Sequence, residues 1–226
     1  MASRRREIEF ARLHRRLEEG DPFWPAQTAV AVAIVLSLLL PGSLLIGPRI
    51  LLPAIELVLL FALVVVVPRR ATRHDRRRRA FALSVVGVVS ATTIVSLARL
   101  VHYLVAGGRV GGERLIESGA LLWLTLVLLF AVFYWEFDGG GPVARMQQPD
   151  LPDFLFPQMD SAGHAPPNWR AGFVDYLYLS LTNSVAFSPT DTLPLTGTAK
   201  VLMGIQSITA LMTIGLVVAR AVNILG

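Results

Sequence analysis

The chain has 226 residues, of which 54% are hydrophobic, and it contains no cysteine. Its mean hydropathy is +0.57 and its formal net charge is +5. This composition is typical of integral membrane proteins, and it excludes a disulfide framework and any site built on thiolates.

Five stretches are long and apolar enough to be candidate spanning helices. About 20 residues at a rise of ~1.5 Å cross a hydrocarbon core of ~30 Å. The sequence therefore predicts an all-α integral membrane protein with five transmembrane helices and no sizeable soluble domain. In chain order the five stretches are Trp24–Leu40, Ile50–Val67, Ala80–Val105, Ala120–Phe137 and Thr198–Ile224.

Residues 1–22 predict an amphipathic N-terminal helix on the cytoplasmic side of the membrane. Ile8, Leu13 and Leu17 recur near helical spacing, and Gly20 ends the pattern. Acidic residues precede the first apolar run and no small-residue cleavage pattern follows it, which argues against a secretory signal peptide.

Residues 23–107 predict a three-helix membrane segment that contains an arginine-rich loop at 68–80, "PRRATRHDRRRRA". Six further arginines lie in the first 16 residues. Both basic runs flank apolar segments and lack interleaved aromatic residues. They therefore indicate an orientation signal and contact with anionic lipids, and not a nucleic-acid partner.

Two ionisable residues fall inside predicted spans, Glu56 in the second and Arg99 in the third. A charge in a bilayer interior costs several kcal/mol unless it is paired or hydrated. Two interpretations stay open: a structural pair that joins two helices, or part of a permeation or proton-relay path.

Residues 118–226 predict a channel-like unit in four parts: an outer helix (118–137), a connection (138–170), a re-entrant helix and loop (171–194) and an inner helix (196–225). The connection is rich in proline and predicts irregular structure. The "DFLFP" sequence within it is expected to pack back onto an apolar surface.

The stretch "DYLYLSLTNSVAFSPTDTLPLT", which begins at Asp175, predicts the re-entrant element. Phe173–Leu181 is apolar enough for a helix but too short to span, and Asn183–Asp191 is polar and predicted to be extended. Non-helical backbone at membrane depth is tolerated only where protein buries it or water lines it. A short helix followed by an extended return and a long helix is the plan of a re-entrant pore loop.

This stretch resembles the pore domain of the tetrameric potassium-channel superfamily, which reads roughly D-A-L-Y-F-S-x-V-T-L-T-T-V-G-Y-G-D-I-x-P-x-T. The two sequences align without a gap, and the resemblance covers about a quarter of the chain. The chain is also similar to an uncharacterised bacterial membrane family with the same order of elements. The resemblance to the channel superfamily implies a homotetramer, with pore-helix positions at Asp175, Tyr178, Ser180, Thr182 and Asn183. The matching positions are Asp175, Leu177, Tyr178, Ser180, Asp191, Pro194 and Thr196, with Ala219-Arg220 matching the end of the inner helix.

The chain departs from that family where the family has T-V-G-Y-G. Both glycine positions carry side chains, Ser188 and Thr190, and Pro189 restricts its own φ and biases the residue before it. We therefore expect no potassium-type ladder of carbonyls. A polar mouth with one carboxylate per subunit would attract monovalent cations with weak selectivity. The filter-equivalent positions are Ala186, Phe187, Ser188, Pro189, Thr190 and Asp191.

The last apolar run carries a polar stripe at helical spacing, which predicts pore-facing positions at Gln206, Thr209, Thr213 and Arg220. The same stripe is compatible with polar contacts between helices. An alternative for the preceding loop is that it only caps a helical bundle, with Asp191 as the N-cap of the last helix.

Enzyme chemistry is not expected. The four histidines are scattered, and no nucleophile–base pair, phosphate loop or metal-ligand spacing is present. The sequence predicts no cofactor and no metal site. The two function hypotheses are a homotetrameric cation channel with a degenerate filter, and a non-conducting scaffold or lipid-binding protein that keeps the fold.

The distribution of positive charge predicts the orientation. The N-terminus, the arginine-rich loop and the 138–170 connection share one side and hold most of the basic residues. The positive-inside rule puts that side in the cytoplasm of a plasma membrane, most simply a bacterial inner membrane. The pore loop would then open to the cytoplasm, inverted relative to the potassium channels.

Overall fold

The computed structural model is predominantly helical. A 3-10 turn at Asp138–Gly140 follows the helix that ends at Phe137. The elements in chain order are α1 (Trp24–Leu39), α2 (Arg76–Val105), α3 (Gly112–Phe137), α4 (Pro142–Gln147), β1 (Phe154–Leu155), α5 (Pro157–Asp160), α6 (Phe173–Val185), β2 (Leu193–Pro194) and α7 (Gly197–Leu225).

The structure describes residues 22–41, 58, 61, 76–105, 112–147, 152–160, 169–185 and 191–225. Several predictions lie outside these residues and stay predictions. They concern the amphipathic helix at 1–21, the apolar run that holds Glu56, residues 68–75 of the arginine-rich loop, and the filter-equivalent residues Ala186, Phe187, Ser188, Pro189 and Thr190.

Within the part of the chain that the structure describes, three helices are long and apolar enough to cross a membrane. The apolar spans are Ser84–His102, Ile116–Gly140 and Gly197–Ala219, with mean hydropathies of 1.8, 2.1 and 2.0. Helix α1 is also apolar but has only 16 residues. The prediction of a helical protein with bilayer-length helices is therefore confirmed. The prediction of five spans stays a prediction.

Packing contacts give the direction of each helix in the bundle. Phe23, just before α1, stacks edge-on against Trp135 near the end of α3, with ring centroids 5.3 Å apart. At the opposite end, Leu40, Leu100 and Leu122 form one buried cluster. We call these the Asp138 end and the Leu122 end of the bundle. Helices α1, α2 and α7 run from the Asp138 end to the Leu122 end, and α3 runs the other way.

One glycine allows α3 and α7 to approach closely at the Leu122 end. A Cβ atom added to Gly119 on α3 would lie 2.4 Å from the Cγ2 atom of Val217 on α7. Two helices that approach this closely exclude larger side chains at the crossing. Gly119 therefore fixes the separation of α3 and α7 at this end.

The connection between α3 and α6 is more ordered than the predicted irregular segment. After the 3-10 turn it contains α4, β1 and α5, and β1 pairs antiparallel with β2, with Phe154 opposite Pro194. The prediction that "DFLFP" packs onto an apolar surface is confirmed, because Phe154 and Phe156 are buried in the main core. The strand pair was not predicted, since two-residue strands leave no periodic pattern.

Candidate functional site

Helix α6 carries polar side chains on the face that it buries. Asn183 and Ser184 follow Ser180 by three and four residues, so the three side chains lie on one side of the helix. All three are buried, whereas Val174, Tyr178 and Val185 on the other side are exposed. A polar face turned inward requires polar partners on the helices that it meets.

Gln206 of α7 is the main partner of this face and is fully buried. Its Nε2 atom lies 2.7 Å from the hydroxyl oxygens of both Ser180 and Ser184, and 2.9 Å from the Ser180 carbonyl oxygen. Its Oε1 atom accepts hydrogen bonds from the Tyr134 hydroxyl and, at 2.9 Å, from the Asn183 amide. One side chain thus joins α6, α7 and α3.

Further bonds extend this group, which we call the Gln206 hub: Tyr134, Ser180, Asn183, Ser184 and Gln206. The Asn183 amide also donates to the Met203 carbonyl at 3.0 Å, and the Ser180 hydroxyl donates to the Val127 carbonyl at 2.7 Å. The hub is therefore satisfied within one chain, as buried polar groups need to be.

A second polar group closes the Asp138 end. The Asp138 carboxylate is fully buried at the end of α3. One of its oxygens accepts from the backbone N–H groups of Asp153 at 2.6 Å and Phe154 at 3.2 Å, and the other accepts from the Tyr176 hydroxyl. Asp138 therefore ties α3, β1 and the first turns of α6 together.

Asp153 repeats this arrangement for the start of α7. Its carboxylate accepts from the Gly139 N–H at 2.9 Å and from the Thr196 hydroxyl at 2.6 Å. Thr196 in turn accepts from the Ala199 N–H at 3.3 Å, so it is the N-cap of α7. Asp191, which the capping alternative assigned to this position, is not the cap. Gly139 takes φ +54°, a conformation that favours glycine.

Arg145 of α4 caps the end of α3. Its Nη1 atom donates to the carbonyl oxygens of Trp135 at 2.7 Å and Asp138 at 2.6 Å. The guanidinium carbon lies 5.1 Å from the centre of the Tyr176 ring. The other nitrogen, Nη2, is buried without a hydrogen bond. The guanidinium group of Arg145 therefore makes a cation–π contact with the face of the Tyr176 ring.

Aromatic rings fill the space between these two polar groups. Trp135 meets Phe173 at 6.0 Å between ring centroids, and Phe154 meets Tyr134 at 5.1 Å, both edge-on. Phe156 packs against Tyr176 at 5.3 Å. The rings pack the first turns of α6 against α3 and the strand pair.

The predicted pore-helix residues all lie on α6. Ser180 and Asn183 belong to the Gln206 hub, and Thr182 bonds to its own helix at the Tyr178 carbonyl. Tyr178 is 60% exposed. Asp175 accepts from the Gly172 N–H at 2.8 Å and so caps the start of the helix. Burial raises the pKa of the Asp175 carboxyl, and the bond from Gly172 opposes that shift.

The extent of α6 corrects one expectation. The sequence predicted extended backbone from Asn183 onward, but the helix continues to Val185. Polar residues at 180, 183 and 184 suggested the end of a helix, whereas they are its buried face. Asp191, the only filter-equivalent residue among those described, is exposed.

The polar stripe of α7 is not one continuous surface. Gln206 bonds inside the subunit, and its predicted pore-facing role stays a prediction. Thr213 is buried and bonds to the Thr209 carbonyl, while Thr209 bonds to the Ile205 carbonyl. Arg220 lies within α7, and its side chain is outside the described set. The predicted pair of Glu56 and Arg99 stays a prediction, because Glu56 lies outside the described residues. Arg99 is exposed on α2 and is not without a partner.

Sequence reasoning missed five residues of these two groups: Tyr134, Asp138, Arg145, Asp153 and Tyr176. Each acts on residues distant in sequence, as when Tyr134 meets Gln206, so local patterns could not identify the partners. Asp138 was signalled weakly by its position at the end of an apolar run. A carboxylate there, next to three glycines, indicates a capped chain reversal.

The described residues contain no group of three or more histidines and carboxylates that could hold a metal ion. Their polar clusters consist of hydroxyl, amide and carboxylate groups with partners inside the chain. Comparisons with protein-family models, curated proteins and solved structures found no match to this chain.

Proposed function

We propose that this chain is the subunit of a homotetrameric, channel-like membrane protein that passes monovalent cations with weak selectivity. The observation that carries the proposal is the path of α6. The helix has 13 residues and begins at the Asp138 end, and its last turns lie beside Gln206. Gln206 is ten residues beyond Thr196, or about 15 Å further along the axis of the bundle.

The next described residues after α6 lie back at the Asp138 end. Val185 ends α6 directly after Ser184, which contacts Gln206, and Leu193 pairs with Leu155 at the Asp138 end. An element that enters and leaves at one end cannot be a span. It fits a re-entrant helix and loop, whose backbone needs protein or water around it.

Five spans per subunit agree with the helix directions. Helix α1 ends at the Leu122 end, and α2 starts at the Asp138 end. Residues 42–75 connect these two ends and contain the apolar run Ile50–Val67. A crossing by this run makes five spans, together with α1, α2, α3 and α7.

Neighbouring copies would cover the re-entrant loop. One subunit alone leaves Val174, Tyr178 and Val185 of α6 exposed. Closed fourfold symmetry would surround a central path with four loops and bring four Asp191 carboxylates near one another. Cross-linking in detergent should yield a fourfold species, and a strict monomer contradicts the proposal.

The orientation follows from charge. The Asp138 end carries the start of α2, with Arg76–Arg79, and it also carries Arg170 and Lys200. Positive-inside bias assigns this end to the cytoplasm, where the arginines would also meet anionic lipid headgroups. The membrane would be the plasma membrane, most simply a bacterial inner membrane.

Reconstitution into a planar bilayer tests the proposal. We expect single-channel currents with little discrimination between sodium and potassium, because no glycine is present at 186–190. Asp191→Asn should reduce the preference for cations over anions. Absence of current at every voltage contradicts the proposed conduction. Near-perfect selection of potassium over sodium contradicts the proposed weakly selective filter.

One observation favours the second candidate, a non-conducting scaffold or lipid-binding protein with the same fold. Gln206 was the most polar of the uncharged positions expected to face a pore, and its amide is consumed inside the subunit. A reconstituted tetramer that passes no current but retains anionic lipid would support this candidate.

A further inference from the structure

We propose that Gln206 is a positioning residue that makes the inner end of α6 follow the last helix, α7. The inference rests on the proposed re-entrant function of α6 and names what holds that element at depth. Its basis is the geometry of the Gln206 hub. Rotation or translation of α7 moves the one side chain that bonds to Ser180, Asn183 and Ser184 together.

No other described side chain of α7 replaces this connection in full. Ser207 adds a bond to Asn183, from its hydroxyl to the amide oxygen at 3.1 Å. The Met203 carbonyl accepts from the same amide at 3.0 Å. Both contacts reach only Asn183, so the two serines of α6 are connected to α7 by Gln206.

The outer end of α6 is held by different elements. Tyr176 bonds to Asp138 of the α3 end, and Phe173 packs on Trp135. Helix α6 is thus held at its outer end by α3, whereas its inner end is held both by α3, through the Val127 carbonyl, and by α7, through Gln206. A displacement of α7 relative to α3 therefore acts on α6 at its inner end, near Val185 and the start of the proposed loop.

The absence of cysteine makes the position of Val185 measurable. Val185 ends α6 and is 52% exposed, so Val185→Cys reports the accessibility of the inner end to a water-soluble thiol reagent. Arg170→Cys, exposed just before α6, reports the outer end and serves as the reagent control. Both are measured on the full chain in nanodiscs.

Gln206→Leu keeps the volume of the side chain but removes its hydrogen bonds. The Tyr134 hydroxyl and the Ser184 hydroxyl then lose a partner in a buried site, which favours local opening of the inner end. We expect the reaction rate at Val185→Cys to change by about tenfold or more, while the rate at Arg170→Cys changes by less than about twofold.

Gln206→Glu distinguishes positioning from a general loss of packing. Burial keeps a carboxylic acid neutral, and the neutral acid retains an acceptor oxygen and one donor. At pH 6 we expect the Val185→Cys rate to return most of the way to that of the unsubstituted hub. At pH 9 ionisation should abolish this rescue, after correction for thiolate content with Arg170→Cys at each pH.

Thr213→Val is the matched control on the same helix. Thr213 is also buried, but its hydroxyl bonds only to the Thr209 carbonyl of α7 itself. This substitution should leave the Val185→Cys rate within about twofold. A rate that is unchanged in Gln206→Leu, or changed equally in Thr213→Val, overturns the positioning role.

The current measurement separates this inference from the proposed function. Positioning is supported by the thiol rates even if the protein passes no ions, in which case only conduction fails. If ions pass but the thiol rates do not depend on residue 206, conduction stands and the positioning role fails.

Discussion

Replacement of Asp138 should destabilise the protein more than replacement of any exposed carboxylate. Asp138→Ala leaves three buried donors without their acceptor: the N–H groups of Asp153 and Phe154 and the hydroxyl of Tyr176. Each unsatisfied buried group costs about 1–3 kcal/mol, so the loss is roughly 3–6 kcal/mol after partial relaxation. At about 2–4 °C per kcal/mol for a chain of this size, Tm should fall by about 6–24 °C.

Thermal unfolding in detergent, followed by tryptophan fluorescence, measures this effect, because Trp135 packs close to the site. Asp138→Asn should cost less than Asp138→Ala, since its carbonyl oxygen still accepts from the two backbone N–H groups. Asp160→Asn is the matched control, because Asp160 is exposed on α5 and should leave Tm within about 2 °C.

A double-mutant cycle tests the specific bond. Tyr176→Phe removes the hydroxyl that donates to Asp138. Once Asp138 is alanine, that hydroxyl has no carboxylate to bond to, so the two losses should not add, with a coupling of about 1–2 kcal/mol. Additive losses, or an Asp138→Ala protein that unfolds within 2 °C of the parent, would refute the assignment of Asp138 as the fastening point of this end.

Three further outcomes are expected, from the charge distribution, from the burial of Asp175 and from the crossing at Gly119. Single cysteines in place of Arg76 and Arg170 should escape an impermeant thiol reagent on intact cells and react after lysis, because both are assigned to the cytoplasmic end; labelling of either before lysis contradicts the orientation. Asp175→Asn should raise Tm at neutral pH, because burial raises the pKa of the Asp175 carboxyl above its usual range. The stabilising contribution of this group is then complete below pH ~4 and is lost as pH rises through the folded pKa, so the advantage of asparagine should vanish in acid, and an advantage that persists there refutes this cause. Gly119→Leu should destabilise the protein by about 1–3 kcal/mol in thermal unfolding, because Val217 already occupies the space that a side chain would need, whereas Gly87→Leu on α2, where the space is open, should be tolerated.

The long helices could be predicted from the sequence because their signal is local. Apolar runs and their proline or glycine boundaries gave α1, α2, α3 and α7 to within a few residues, except that α3 starts earlier, at Gly112. The aromatic residues of "DFLFP" were correctly expected to pack onto an apolar surface, since a short apolar segment in a polar connection has few other positions.

The polar site could be predicted only in part because its partners are tertiary. Ser180, Asn183 and Ser184 were visible as polar residues, but Asn183 and Ser184 were predicted to be extended. Their common helical face and its contact with Gln206 depend on how α6 packs. Gln206 was noticed as part of a stripe, and the stripe alone could not distinguish pore lining from a helix contact. Within the subunit, the hydrogen bonds show Gln206 in a contact between helices, and pore lining stays a prediction.

The two ends of the bundle have different chemistry, and this difference bears on the orientation. The Leu122 end is closed by leucines and a glycine crossing. The Asp138 end joins the re-entrant helix, the strand pair and the start of α7 through two carboxylates, and α2 begins there with four consecutive arginines. Each positive charge moved across the membrane against an inside-negative potential gains or costs about 2.3 kcal/mol per 100 mV. The proposed orientation therefore rests on the four arginines that begin α2 at this end, and we give them more weight than the resemblance to an outward-facing pore.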